Sequence, residues 1–185
     1  MIYIVSGFMR SGTSMMMKAL EAGGMDAVYS RARDVNMNDR FGEADYVPND
    51  SYYELDVDEY RRPDFPAPYD GRLVKCLCGG IERLPVGEYR VVYMRRPADE
   101  IRLSMTAFFG RPNAAAMRHH FDEQMKQTAD ILRDRRSFVS VDEVWYADVI
   151  ANPLAVFTRL AEIGWPIDPV KSAMVPDGGK VRFAA

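Results

Sequence analysis

Short apolar runs alternate with amphipathic stretches along the chain. Ile2–Val5, Leu73–Leu77, Arg90–Met94 and Phe138–Val141 each read as a strand with little polar interruption. Thr13–Ala22 reads as a helix stopped by Gly23-Gly24, and Asp99–Phe109 as another ending before Gly110. Asn113 is placed to cap a longer helix, whose apolar stripe runs through Met117, Phe121, Met125, Thr128 and Leu132. Asn152-Pro153 pairs a capping residue with a proline at the first helical position, and the helix that follows carries Leu154, Phe157, Leu160 and Ala161 up to Gly164. Asp168-Pro169 repeats that start signal.

Strands alternating with helices predict an α/β protein with a mostly parallel sheet flanked by helices on both faces. No repeat, low-complexity tract or linker divides residues 1–185, so a single domain is expected. Residues 30–70 break the pattern: rich in Asp, Asn, Arg and Tyr, they show no sustained period. Such a segment is either a lid that binds a substrate or unstructured, and Phe41, Tyr46, Tyr52, Tyr53 and Tyr60 argue against full disorder.

Composition narrows the function classes. The net charge of −3 offers no basic surface for nucleic acid. No apolar run approaches a membrane span and no basic leader precedes the first strand, so a cytoplasmic protein without a membrane partner is expected. Cys76 and Cys78 would share a face of a strand over 73–77 and are expected as core thiols; a redox or metal role is the alternative.

The chemistry is concentrated in two places. The first is Ser6-Gly7-Phe8-Met9-Arg10-Ser11-Gly12-Thr13-Ser14, a glycine-bearing turn between the first strand and the first helix. A turn of this kind aims backbone N–H groups and the positive end of a helix at an anion. Gly7, Gly12 and Ser14 have the spacing of a Walker A motif, but Thr13 stands where the lysine belongs and the cation is Arg10. The second is Val91–Ser104, a strand that delivers Arg95 and Arg96 to its end, with Pro97 and Asp99 opening a helix that carries Ser104. Guanidinium and hydroxyl groups so placed suit a phosphate. Ion pairing of the arginines with Asp99 and Glu100 is the alternative. Two anion sites at two strand ends call for a ligand with two separated anionic groups.

Arg10-Ser11-Gly12-Thr13-Ser14 resembles the 5′-phosphosulfate loop of sulfotransferases, which use 3′-phosphoadenosine 5′-phosphosulfate (PAPS) as donor and require no metal. The Val91–Ser104 segment is similar to the 3′-phosphate motif of the same family; the proline selects Arg95 and the step to Ser104 selects Arg96, which is preferred. Ser140–Pro153 looks like the strand of that family followed by its Y-E-D-L-x-x-x-P segment and helix, with Ala147 in place of the Glu, and is expected to be scaffold. Gly164-Trp165-Pro166 resembles its L-G-x-P closure, and Gly178–Arg182 a reduced form of its C-terminal nucleotide loop, in which Arg182 would reach the 3′-phosphate.

The resemblance implies a single-domain P-loop fold of three layers and an enzyme that moves a sulfuryl group to a hydroxyl or amine of a small molecule. Arg10, Ser11, Gly12, Thr13, Ser14, Arg95 or Arg96, Ser104 and Arg182 would bind the donor, with Arg10 also acting in the transfer. The segment Pro48–Glu54 resembles one in related bacterial proteins and nominates Glu54 as general base, with Glu43 and Asp39 as alternatives and His119-His120 expected to face solvent. Lys75 would meet the sulfuryl group or lie at the surface. The aromatics of residues 41–60 suit a ring-bearing acceptor or simply pack the lid. A nucleotide kinase or NTPase with a degenerate Walker A, and a non-catalytic PAP(S) binder, are the alternatives.

Overall fold

The computed structural model describes residues 1–30, 53–55, 58–81, 83–109, 121–123, 126, 130 and 138–177. The apolar runs assemble into one sheet of five strands: β1 (Ile2–Gly7), β2 (Ala27–Val28), β3 (Leu73–Lys75), β4 (Tyr89–Arg95) and β5 (Phe138–Trp145). The order is β2-β3-β1-β4-β5, and every pairing is parallel. Among the described residues the α-helices with assigned bounds are α1 (Thr13–Ala22), α2 (Cys78–Ile81), α3 (Ala98–Phe109), α4 (Tyr146–Ala151), α5 (Pro153–Glu162) and α6 (Pro169–Ala173).

The strands read as near-continuous apolar runs because both faces are covered. Val5, Leu73, Val92, Met94 and Val144 enter one cluster, with Met16, Met17 and Leu20 of α1, Phe157 and Leu160 of α5, and Trp165. Ile2, Ile4, Val74, Val91 and Tyr93 enter another, with Leu55, Tyr60, Phe65 and Ile81. The alternation along β1, β3 and β4 is the period of two expected of strands. A smaller cluster joins Phe8, Cys78, Ile101 and Phe121 beyond the carboxyl end of β1.

The helix starts follow local chemistry. The Asn152 side chain accepts from Ala155 N at 3.4 Å, and Asp168 Oδ1 accepts from Val170 N at 3.0 Å and Lys171 N at 3.2 Å. Several bounds differ from the sequence expectation. β3 stops at Lys75, so the two cysteines do not share a strand face: Cys76 packs with Ile4 and Val74, whereas Cys78 opens α2 and packs on Phe8 and Ile101. Both are buried and outside any disulfide, and burial, with Glu54 adding to it, pushes Cys76 far up from its ordinary pKa. β5 runs to Trp145 rather than ending at Val141. β2, α2 and α4 were not anticipated. Of the helix expected from Asn113, residues 121–123, 126 and 130 are helical, and the other positions lie outside the described residues. Among the described residues no helix is long and apolar enough to cross a membrane.

The topology selects a binding edge. The chain leaves β1 toward β2 on one side and leaves its neighbour β4 toward β5 on the other. Connections diverging from two adjacent strands open a crevice at their carboxyl ends. Behind that crevice, Trp165 anchors the core: it is buried, its ring lies 5.3 Å from Tyr3, and its Nε1 donates to Asp142 Oδ2 at 3.4 Å. Trp165→Ala is expected to lower stability by about 3–5 kcal/mol, read as a shift in the denaturant midpoint; a loss under about 1 kcal/mol would mean that this region packs loosely.

Candidate functional site

The crevice is built first by the turn after β1. Gly7 stands opposite Met94 in the β1–β4 register and has φ +147°. A Cβ there would lie 2.6 Å from Ser11 Oγ and 2.9 Å from the Met94 carbonyl, so only glycine lets the chain fold back on β4. Ser11 N donates to the Phe8 carbonyl at 3.1 Å, closing the turn, and Arg10 is held at φ +69°. Gly12 caps α1 at φ +98°, where a Cβ would meet the Tyr146 ring at 2.6 Å. Gly12, as the N-cap residue, offers no side-chain cap, and no acidic residue stands in the first turn of α1; a helix start of this kind favours an anion. Ser11 Oγ is buried here without a hydrogen-bond partner.

The end of β4 meets this turn directly. Arg96 Nη1 donates to the Arg10 carbonyl at 3.1 Å, and Arg10 Nε donates to Ser104 Oγ at 3.0 Å. The expectation of two distinct pockets therefore becomes two adjoining parts of one crevice. Arg96 is 7% exposed, its Nε lies 2.9 Å from Glu100 Oε2, and its guanidinium stacks 4.4 Å from the Tyr146 ring centroid. Burial raises the Tyr146 hydroxyl from its ordinary pKa, while the charges of Arg96 and Arg10 act against that shift.

Arg95 goes elsewhere. One strand position earlier, it shares the face of Tyr93, lies 4.9 Å from that ring, and donates to both oxygens of Glu143 at 2.7 and 3.1 Å. The spacing argument left Arg95 and Arg96 open; of the two, the geometry brings Arg96 to the loop. The Arg95 hydrogen bond, reinforced by its charge, holds the Glu143 carboxyl below the usual carboxylate range.

A second cluster occupies the end of β3. Lys75 is buried; its Nζ lies 2.8 Å from Glu54 Oε1 and 3.2 Å from Ser14 Oγ, at the start of α1. Glu54 makes a parallel bridge with Lys75 and stays 17% exposed at its side chain. Tyr60 donates its hydroxyl to the Lys75 carbonyl. Lys75 is thus no surface lysine, and Glu54 and Lys75, singled out separately in the sequence, are in contact.

Arg10, Arg96 and Lys75 gather with Glu54 and Glu100 beside the start of α1. Such a site suits an anion. Arg182, Glu43, Asp39 and the His119-His120 pair lie outside the described residues. Among the described residues no three His, Cys, Asp or Glu side chains group as metal ligands. Sequence reasoning treated Tyr146 as scaffold; its only local signal is an aromatic residue directly after a strand, and its contact with Gly12 and Arg96 is set by the β4–β5 pairing.

Two outcomes follow. Gly12→Ala combines a positive φ with a clash against Tyr146 and is expected to cost about 1–3 kcal/mol in denaturant unfolding; an unchanged midpoint would show that the loop tolerates a Cβ. The Arg95–Glu143 pair is half-open to water, so Arg95→Ala is expected to cost under about 1 kcal/mol at pH 7. Because the folded-state pKa of Glu143 is depressed, that contribution is present above the unfolded carboxylate pKa. It disappears as pH falls through the folded one. A loss that persisted at acid pH would contradict this cause.

No protein-family model, curated protein or solved structure matches this chain, so the chemistry of the crevice rests on its own residues.

Proposed function

We propose that the chain transfers a sulfuryl group from PAPS to a hydroxyl or amine of a small-molecule acceptor. One observation carries the reading: the Arg10 loop and the Arg96–Ser104 segment adjoin at the carboxyl ends of two paired strands. A ligand with two separated anionic groups can engage both, and PAPS has that form. The residues present fit it: the glycine-capped start of α1, the orphaned Ser11 hydroxyl, and two guanidinium groups.

Bound PAPS supplies a sulfuryl group joined to a 5′-phosphate oxygen, with a 3′-phosphate set apart. In this reading Arg10 and the amides of Gly12, Thr13 and Ser14 hold the phosphosulfate and neutralise charge that grows as the bond to sulfur breaks. One such donor is worth roughly 3–4 kcal/mol of the barrier. Arg96 and Ser104 hold the 3′-phosphate, and Glu100 keeps the Arg96 guanidinium in place. Lys75, beside Ser14, is positioned toward the transferring end, and Glu54 takes the acceptor proton. The aromatic segment that carries Glu54 is the side from which an acceptor would enter.

A nucleotide kinase or NTPase is the second reading, and one contact favours it. Lys75 Nζ reaches Ser14 Oγ and so brings to the loop the cation that Thr13 withholds. Calorimetry separates the two. Adenosine 3′,5′-bisphosphate (PAP) is expected to bind without Mg²⁺, and Arg10→Ala and Arg96→Ala each to weaken it about 10-fold or more. Tight Mg·ATP binding with none of PAP would reverse the assignment. PAP binding with no desulfation of PAPS under any acceptor would leave a binder that has no transferase activity.

A further inference from the structure

Among the described residues only two non-glycine residues hold a positive φ: Arg10 at +69° and Tyr53 at +57°. Arg10 belongs to the crevice already described. Tyr53 directly precedes Glu54. Left-handed backbone at a bulky residue persists only where the surroundings over-determine it, and such positions gather at functional sites.

The surroundings of Tyr53 do over-determine it. Its side chain is buried in the cluster formed by α1, its ring meets Tyr29 edge-on at 5.0 Å, and its hydroxyl donates to Glu21 Oε2 at 2.5 Å. Leu55, two residues on, is buried in the cluster on the opposite face of the sheet. In an extended strand residues two apart share a face. The left-handed turn at Tyr53 breaks that rule, and Glu54 is the residue between the two anchors. Its backbone is pinned as well, with the Glu54 carbonyl accepting from Ser30 N at 2.9 Å and a parallel bridge to Lys75.

We infer that Tyr53 is a positioning residue: its hydroxyl, bonded to Glu21 on α1, latches the Glu54 backbone so that the carboxylate stays against Lys75 and beside Ser14. The inference deepens the transferase reading, since it rests on Glu54 as the proton acceptor. In the simplest turnover, with water as acceptor, the water oxygen bonds to sulfur as the sulfur–oxygen bond to the 5′-phosphate breaks. PAP leaves, and the water proton goes to the Glu54 carboxylate.

Two readouts test the latch in the full-length protein. The first needs no ligand. Lysine acetylation is followed by mass spectrometry, with Lys171, 67% exposed at its side chain, as internal reference. Lys75 is expected to be protected in the wild type. In Tyr53→Phe and in Glu21→Ala its labelling should rise about tenfold, because a hydrogen bond to a charged group is lost from the opening equilibrium. The double variant should go no further, since both changes remove one bond. Trp165→Phe, a change in the same core that leaves the Tyr53–Glu21 hydrogen bond in place, serves as the control for general loosening. Unchanged Lys75 labelling in Tyr53→Phe, an equal rise in the Trp165→Phe control, or additive effects of the two latch variants would each overturn the inference. The second readout is desulfation of PAPS by water, expected to fall about 10- to 100-fold in Tyr53→Phe with the affinity for PAP unchanged. Equal losses of rate and affinity would overturn the positioning role. A wild-type protein that binds no PAP sinks the transferase reading instead, while lysine labelling still decides whether the latch exists.

Discussion

The parallel pairing of β1 with β4 is the constraint from which the rest follows. Register places Gly7 opposite Met94, so both strands end level with each other. The turn after β1 and the arginine after β4 then emerge side by side, and the Arg10 carbonyl accepts a hydrogen bond from Arg96. A one-residue slip would exchange every side chain between the two faces of the sheet. It would send Met94 into the wrong cluster and turn Arg95, not Arg96, toward the loop. The burial of Val5 with Val92 and Met94 on one face, and of Ile4 with Val91 and Tyr93 on the other, therefore fixes the geometry of the crevice as well as the stability of the core.

Around that pairing the site is assembled from both sides of the loop. On the β4 side Arg96, Glu100, Ser104 and Tyr146 brace Arg10 and Gly12. On the β3 side Lys75 reaches Ser14 and pairs with Glu54. Both halves bear on one turn of nine residues, Ser6–Ser14. A nucleotide bearing anions at both ends matches this division of labour. In the proposed reading its reacting end would lie toward β3, where a lysine and a carboxylate are paired, and its distal phosphate over β4, beside Arg96 and Ser104.

Much of this was legible in the chain, and the reasons differ by residue. β1, its turn and α1 could be read because each step has a local cause: an apolar run, two glycines, then helix formers. The starts at Asn152 and Asp168 were legible for the same reason, since a cap is a contact between near neighbours. β2, only Ala27–Val28, is too short to show a period, and α2 is Cys-Gly-Gly-Ile, which no propensity would make helical. Spacing could not separate Arg95 from Arg96; strand parity could, because Arg95 shares the face of Tyr93 and meets Glu143. The contacts of Lys75 with Glu54 and of Tyr53 with Glu21 join segments whose spacing in the chain carries no signal, so they emerge only once the sheet is formed.

The central claim is that one ligand bridges the Arg10 loop and Arg96, and a thermodynamic cycle addresses it most directly. Calorimetry would compare PAP with adenosine 5′-monophosphate, which lacks the 3′-phosphate, in the wild type and in Arg96→Ala. The account predicts that removing the 3′-phosphate costs the wild type at least about tenfold in affinity and costs Arg96→Ala little. An equal penalty in both proteins would mean that Arg96 does not hold that phosphate, and the bridging ligand would fall with it.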